Sequence, residues 1–504
     1  MKNKTKSKIW VILYLSFVLI ALGVVGGLVI YIDPFFHYHK PHVDDYYYEI
    51  DNQRSQNDGI TKNFDYDALI TGTSMTNNFK TSELDELFDV HSIKLPYSGA
   101  TYKEINDNVV NALEHNKNLK LVVRGLDIGK IVEDKDNMRE DLGDYPTYLF
   151  DDDYYNDVKY IFNRDVLFNR VYPMIAASDK DGFEPGITSF DEYDNWMSQC
   201  TFGMKTVKPK GVSRITGVKP VHLSEEEKEI LLGNIRENVT SVAEEHPEVT
   251  FYYFFTPYGA VWWLHYVNNG EVYKQVESER LLIEELLKYD NIKIFAFCDL
   301  PEITTDINNY KDGTHYGEWI NSLMLKYMHD GKGLLTKDNY EDYLERELDL
   351  YLNFDYDSLN YQIDFENDYY SAALLNEEIK GIKPLAIDGD FLENALTGKT
   401  GQYMKDTEHG GFVLNLDVTD YDYLVFYGQK MRTEGQLEVY LYDESGAKVV
   451  ELKKVYSEID EEEHQYLIDV SSLSGNIKIS FNGGYLDDTD RADSDFIFSN
   501  ITLY

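Results

Sequence analysis

The longest apolar run of the chain covers residues 9–32 and carries no charged side chain. At 1.5 Å per residue a helix of that length crosses a hydrocarbon core of about 30 Å, so the pattern predicts a membrane-spanning helix. A cleaved signal peptide is the competing reading. The run is longer than an ordinary signal-peptide core, however, and no small-x-small cleavage motif closes it before Asp33-Pro34. Lys2, Lys4, Lys6 and Lys8 precede it. Basic flanks stay cytoplasmic, so residues 1–8 are expected as a cytoplasmic tail and everything from Asp33 onward as extracellular.

Residues 33–63 are aromatic and polar without a clear period, and read as a juxtamembrane linker. Apolar runs of strand length and strand composition follow at 68–71, 92–95, 119–126, 249–255 and 292–297. They alternate with helical patterns at 82–88, 101–115, 224–245 and 272–289, the third opened by the capping box Ser224-Glu-Glu-Glu227. Strand, helix and strand in succession predict an α/β domain over 64–380, a parallel sheet covered by helices on both faces. Ligands in such folds sit at the carboxyl ends of the strands. An Asp- and Tyr-rich stretch at 130–221 interrupts the alternation and is expected as an insertion that shapes the rim of the site.

After an acidic, Tyr-rich helical segment at 337–379 the pattern changes again. Short alternating strands at 411–416, 423–427, 437–442, 466–470, 477–481 and 496–503 are separated by turns such as Asp443-Glu-Ser-Gly446 and Asn482-Gly-Gly484. This predicts an all-β sandwich over 385–504. Tyr423, Tyr427, Tyr440 and Tyr442 are its candidates for a sugar-stacking platform, although alternation turns half of such residues toward the core. The acidic turn at 487–495 has the residue types of a Ca²⁺ loop, but a solvated loop on an acidic protein is the simpler reading, and no metal is assigned.

A length of 504 residues implies two or three folded units. The 47 Lys and Arg against 90 Asp and Glu leave a net charge of -43, which argues against a nucleic-acid partner. Two cysteines, Cys200 and Cys298, make no disulfide scaffold. An outside location permits one bridge between them, but Cys298 ends an apolar run and reads equally as a buried thiol.

The candidate chemistry begins at Gly72-Thr-Ser74-Met-Thr76, where the first strand must turn toward a helix. Ser74 there is exposed among free backbone N–H groups; alone, it would read as a helix N-cap. Downstream, Asp312-Gly-Thr-His315 follows the last strand, at a spacing that sets a carboxylate against one imidazole nitrogen and frees the other for a nucleophile. Both motifs fall at the same edge of the predicted sheet.

In this combination the sequence resembles the SGNH or GDSL-like hydrolase superfamily over residues 67–331. Gly72-Thr73-Ser74 matches the nucleophile block and Asp312 to His315 the Asp-x-x-His block. The resemblance implies a flavodoxin-like three-layer fold in which His315 takes the Ser74 proton while Asp312 fixes the imidazole. Tyr97-Ser98-Gly99 stands where the family supplies a glycine N–H to the oxyanion hole, although a plain turn glycine explains it equally well.

The third block, Gly-x-Asn-Asp in the family, reads Gly125-Leu126-Asp127-Ile128 here. An ionised Asp127 repels an oxyanion, and losing one donor costs about 3 kcal/mol in the transition state. Asp127 is then protonated or turned away, or another donor serves: the Ser74 amide, Arg124, or a side chain of Thr256-Pro-Tyr258. With the anchor and the outside location, that departure resembles the membrane-anchored SGNH proteins of Gram-positive envelopes, the D-alanyl-lipoteichoic acid transfer proteins and polysaccharide O-acetyltransferase partners. It implies acyl transfer to a surface glycan or teichoic acid beside a membrane-bound O-acyltransferase, with no cofactor. The alternatives are a carbohydrate or lipid esterase using the same serine, and a non-catalytic glycan-binding surface protein. Tyr258, Trp262 and Trp263 are the candidates for an aromatic rim that excludes water or stacks on sugar, set against ordinary core packing.

Overall fold

A computed structural model describes residues 2–139, 146–151, 153–197, 200, 202–207, 213–356, 359, 383–387, 402–403, 411–419, 421–430, 436–443, 447–455, 464–484 and 496–503. The chain forms two compact units: Met1–Arg124 with Glu133–Asn195 and Gly233–Phe251, and Gly125–Val132 with Trp196–Leu232 and Tyr252–Tyr504.

In the first unit the strands are β1 (Tyr47–Tyr48), β2 (Ala68–Gly72), β3 (Ser92–Pro96), the first residues of β4 (Leu121–Leu126), β5 (Gly186–Ile187) and the start of β6 (Thr250–Phe255). β2 pairs in parallel with both β3 and β4, with Thr71 opposite Leu95 and Arg124. Every residue of β2, β3 and β4 is buried, as a parallel sheet covered on both faces requires. Lys94 and Arg124 are buried charges in these strands. Lys94 donates to the carbonyls of Asn77 and Phe79, and Arg124 to those of Tyr102 and Asn238. The helix Tyr102–His115 begins with a capping box between Thr101 and Glu104.

Lys2–Ile32 is one long helix, apolar from Ile9 onward. Its C-terminal turns are part of a folded core: Val29 and Ile32 are buried with Phe35, Leu149, Tyr160, Val166 and Val171. Residues 33–63 are not a linker. They contain β1, which pairs with β5, and the helix Gln53–Asn63, which buries Gln56, Asn57, Asp58, Gly59, Ile60 and Thr61. Five of those six lack an apolar side chain, so hydrophobic periodicity gives no sign of the helix. Gly59 is required there, since a Cβ would lie 2.3 Å from the carbonyl oxygen of Phe35.

The second unit holds most of β6, β7 (Ile292–Phe295), β8 (Leu334–Leu335) and the helices Ala260–Asn269, Val272–Leu286, Glu318–Asp330 and Tyr340–Asn353. Among the described residues the mixed sheet has the order β3-β2-β4-β6-β7-β8. Thr250 N donates to Lys120 O and Thr256 N to Leu126 O, a constant offset that makes β4 and β6 parallel. β8 pairs antiparallel with β7.

Two antiparallel sheets follow: β10 (Gln402–Tyr403), β17 (Phe496–Leu503), β12 (Tyr423–Lys430) and β15 (His464–Asp469) in one; β14 (Lys448–Val455), β13 (Gln436–Tyr442), β16 (Asn476–Gly484), β11 (Gly411–Asp417) and β9 (Lys383–Ile387) in the other. Leu424, Phe426, Val439, Leu441, Ile477 and Ile479 are buried, while Tyr423 is exposed and Tyr440 and Tyr442 are half-buried. Tyr440 carries the Lys448 ammonium 4.5 Å from its ring centre. The Tyr427 side chain and the acidic turn at 487–495 lie outside the described residues, as does the segment 360–380 at the end of the expected α/β domain. Both cysteines are free thiols, with Cys298 buried.

Candidate active site

Ser74 opens a 3-10 turn, Ser74–Thr76, two residues beyond the end of β2. From Ala68 to Phe79 every residue is buried except Ser74, which is half-buried. The turn is fixed from several sides. Thr73 Oγ1 accepts from Met75 N at 3.4 Å, Thr76 Oγ1 donates to Thr73 O at 2.8 Å, and Asn77 Nδ2 donates to Ser98 Oγ at 3.3 Å. A serine on such a turn is held without freezing further rotors when a ligand binds, which is the preorganisation that nucleophilic catalysis needs.

Gly99 follows β3 in a tight turn, with φ +68° and the Ala100 N–H bonded to Tyr97 O at 3.0 Å. That φ favours glycine. Arg139, from the expected insertion, packs on it: a Cβ at residue 99 would lie 1.9 Å from the Arg139 guanidinium. Sequence reasoning missed Arg139, an arginine in an acidic stretch with no motif around it. Arg124 is buried and donates to the carbonyls of Asn238 and Tyr102 at 2.8 and 3.1 Å and to Asn106 Oδ1 at 3.4 Å.

In the second unit Asp312 and His315 share a closed loop. Lys311 N donates to His315 O at 3.0 Å, Gly317 N to Asn309 O at 3.0 Å, and Tyr310 and Tyr316 form an antiparallel bridge. Asp312 Oδ1 accepts from Thr314 N, His315 N and Thr314 Oγ1 at 2.8, 2.8 and 3.1 Å, while Oδ2 lies 2.8 Å from His315 Nδ1. Partial burial disfavours the charge, but the His315 ring and the two backbone donors outweigh it and hold the carboxyl well below the usual carboxylate range. An ionised Asp312 assigns the proton to Nδ1 and makes Nε2 the basic nitrogen.

Around this loop Trp196 stands edge-on to the His315 ring, centroids 5.9 Å apart, and carries the Lys311 ammonium 3.7 Å above it. Trp196 belongs to the expected insertion, so part of that segment does border His315. Nothing in its spacing marked it. Trp262 is half-buried, 4.8 Å from Tyr258 and beside Gly313. Trp263 is fully buried and stacks on Tyr351 at 4.0 Å, so it is core and not rim.

Asp127 is buried and accepts from Tyr258 Oη at 2.6 Å. The Tyr258 hydroxyl is therefore spent on Asp127 and is not a donor for substrate. Burial and the Asp127 charge hold the Tyr258 and Tyr316 hydroxyls protonated far above their ordinary range. Among the described residues no group of three His, Cys, Asp or Glu has the arrangement of a metal site.

No protein-family model matches the sequence, and no curated protein matches it. Among solved structures, a candidate platelet activating factor from Streptococcus pneumonia is 10% identical over 58% of this chain and 91% of its own, with a TM-score of 0.29. A carbohydrate-binding module, TmCBM61 in complex with beta-1,4-galactotriose, is 18% identical over 25% of this chain and 83% of its own, TM-score 0.17. The secreted serine protease VesC from Vibrio cholerae is 21% identical over 21% of each chain, TM-score 0.15. These likenesses are too slight to carry a functional argument, which rests on the local geometry.

Proposed function

We propose that this chain is a membrane-anchored, extracytoplasmic serine acyltransferase of SGNH type, moving a small acyl group onto a glycan or teichoic acid of the cell envelope. The observation that carries the reading is the Asp312–His315 pair, with Nδ1 2.8 Å from the carboxylate and the loop backbone locked onto the other oxygen. Ser74, the accessible residue in an otherwise buried strand-and-turn segment, supplies the nucleophile. His315 Nε2 takes the Ser74 hydroxyl proton as Oγ adds to the acyl carbonyl, and returns it to the departing group. The acceptor hydroxyl then repeats the sequence in reverse on the acyl-enzyme.

Asp127 contributes no oxyanion donor, because it is itself an acceptor for Tyr258. The oxyanion is left to the Ser74 and Gly99 amides, with the Arg139 guanidinium against Gly99 adding positive charge. One missing donor costs about 3 kcal/mol, which slows attack by water as well as by sugar. Trp196 and Trp262, half-buried beside the Asp312–His315 loop, give a sugar acceptor apolar contact that water cannot use. Tyr440 and Tyr442 in the sandwich, a jelly-roll-like module, offer a second place to hold the polymer. The burial of Val29 and Ile32 in the extracytoplasmic core favours a retained anchor over a cleaved signal, since cleavage would strip both from their cluster.

The test is product analysis with the full chain in detergent, an activated acetyl ester as donor, and envelope glycan fragments as acceptor. Acetylated glycan that depends on Ser74 supports transfer. Rapid hydrolysis that no glycan diverts would make the chain an esterase instead.

A further inference from the structure

We propose that the helical segment at residues 158–172 lies in the outer leaflet of the membrane, with Phe162, Phe168 and Tyr172 immersed in lipid beside the N-terminal helix. The inference rests on the reading of that helix as a retained span and adds a second, monotopic contact to it. Three helical pieces make up the segment: Val158–Ile161, Arg164–Val166 and the π-turn Leu167–Val171, with Tyr172–Ser178 continuing.

Its inward side chains Tyr160, Val166 and Val171 fill the cluster around Val29 and Ile32. Polar contacts lock the join. Tyr160 Oη donates to Asp33 Oδ1 at 2.8 Å and accepts from Phe35 N at 3.1 Å, and the Phe35 and Tyr160 rings stack at 5.3 Å. The depth follows from Gly26. A Cβ there would meet Ile161 Cγ2 at 3.1 Å and Phe162 Cζ at 3.6 Å, so the Phe162 ring lies against the helix six residues before Ile32. At 1.5 Å per residue that is about 9 Å below the outer end of the apolar run, which is the depth at which interfacial helices seat their apolar face.

The outward side chains are the ones that need explaining. Val158 is 55% exposed, Phe162 47%, Phe168 59% and Tyr172 64%, interleaved with the exposed Lys159, Arg164, Asp165 and Asn169, whose polar ends reach up to the headgroups as on other interfacial helices. The lipid-facing residues of the adjoining span, Leu28, Ile30 and Tyr31, are exposed to a similar degree. The two surfaces belong to one unit and meet at Gly26, so a bilayer that covers one at that depth covers the other. Lipid, not a soluble protein, is the occupant this continuity selects.

The experiment uses the full chain reconstituted in phosphatidylcholine vesicles without other protein, photolabelled with a membrane-partitioning aryl diazirine, then digested and mapped by mass spectrometry. Adducts are expected on the N-terminal helix and on the peptide spanning 158–172. A Phe162→Ser/Phe168→Ser/Tyr172→Ser variant, altered only at exposed positions, is expected to lose most labelling of that peptide while the helix stays labelled. Adducts confined to residues 9–32 would overturn the proposal, as would labelling of 158–172 that appears only when a second membrane protein is added. Absence of label from residues 9–32 themselves would instead count against the anchor, so the two failures are distinct.

Discussion

Replacing Asp312 by Asn isolates the role assigned to the carboxylate. The variant keeps an oxygen to accept from the Thr314 and His315 amides, both at 2.8 Å, so the loop keeps its shape. What changes is the atom facing His315 Nδ1 at 2.8 Å, which becomes an N–H donor. Two donors cannot face each other, so the imidazole must carry its proton on Nε2, the nitrogen that has to accept from Ser74. The wrong tautomer and the lost stabilisation of the imidazolium together cost a triad enzyme about 10⁴ in kcat, which at 1.36 kcal/mol per tenfold is about 5.4 kcal/mol. The assay is steady-state release of p-nitrophenol from p-nitrophenyl acetate by the full chain in detergent, with circular dichroism melts alongside. A variant that melts within a few degrees of the parent and retains kcat within tenfold would refute the assignment of Asp312 and His315 as an acid–base pair.

Gly99→Ala forces a left-handed φ on an L-residue, at about 1–2 kcal/mol, and pushes Arg139 off its seat; a drop of about 10²-fold in kcat with a small change in melting temperature is expected. Trp263→Ala should cost about 3–5 kcal/mol in denaturant titration because Trp263 is core, whereas Trp262→Ala should mainly raise the KM for a glycan acceptor; equal stability losses would undo that division. Asp191 accepts from Ser82 N, Ser82 Oγ and Thr81 Oγ1, and despite the opposing effect of burial these donors lower its pKa. A depressed folded pKa stabilises above the unfolded value of about 3.9 and loses that contribution as pH falls through the folded one. The stability difference between parent and Asp191→Asn should therefore hold at pH 6 and shrink below about pH 3.9; a difference independent of pH down to 2 would remove the carboxylate from this clip.

The strands of the mixed sheet were legible because most of their residues are apolar, interrupted by single polar residues such as Lys94 and Arg124, and so were helices whose caps and apolar stripes are written in local sequence, such as Tyr102–His115. The helix Gln53–Asn63 was not, because it is packed through Gln56, Asn57, Asp58 and a bare Gly59 backbone, and hydrogen bonding leaves no period in hydropathy. At the site, Ser74, Asp312 and His315 stood out by motif and strand order. The division between Trp262 and Trp263 did not, since adjacent helical residues differ by 100° in direction and only packing decides which one is buried. Arg139 and Trp196 belong to an insertion whose path depends on tertiary contacts with Gly99 and His315. Tyr258 was grouped with the substrate-facing candidates because its hydroxyl partner, Asp127, lies 131 positions away in sequence.

The central claim, that Ser74 is a nucleophile activated by His315, is tested most directly by intact-mass analysis of the folded full chain after treatment with a fluorophosphonate. One stoichiometric adduct is expected, mapped to Ser74, absent from Ser74→Ala and formed at least about 100-fold more slowly in His315→Ala. A folded protein that takes up no label, or one whose label survives the Ser74→Ala change, would contradict it.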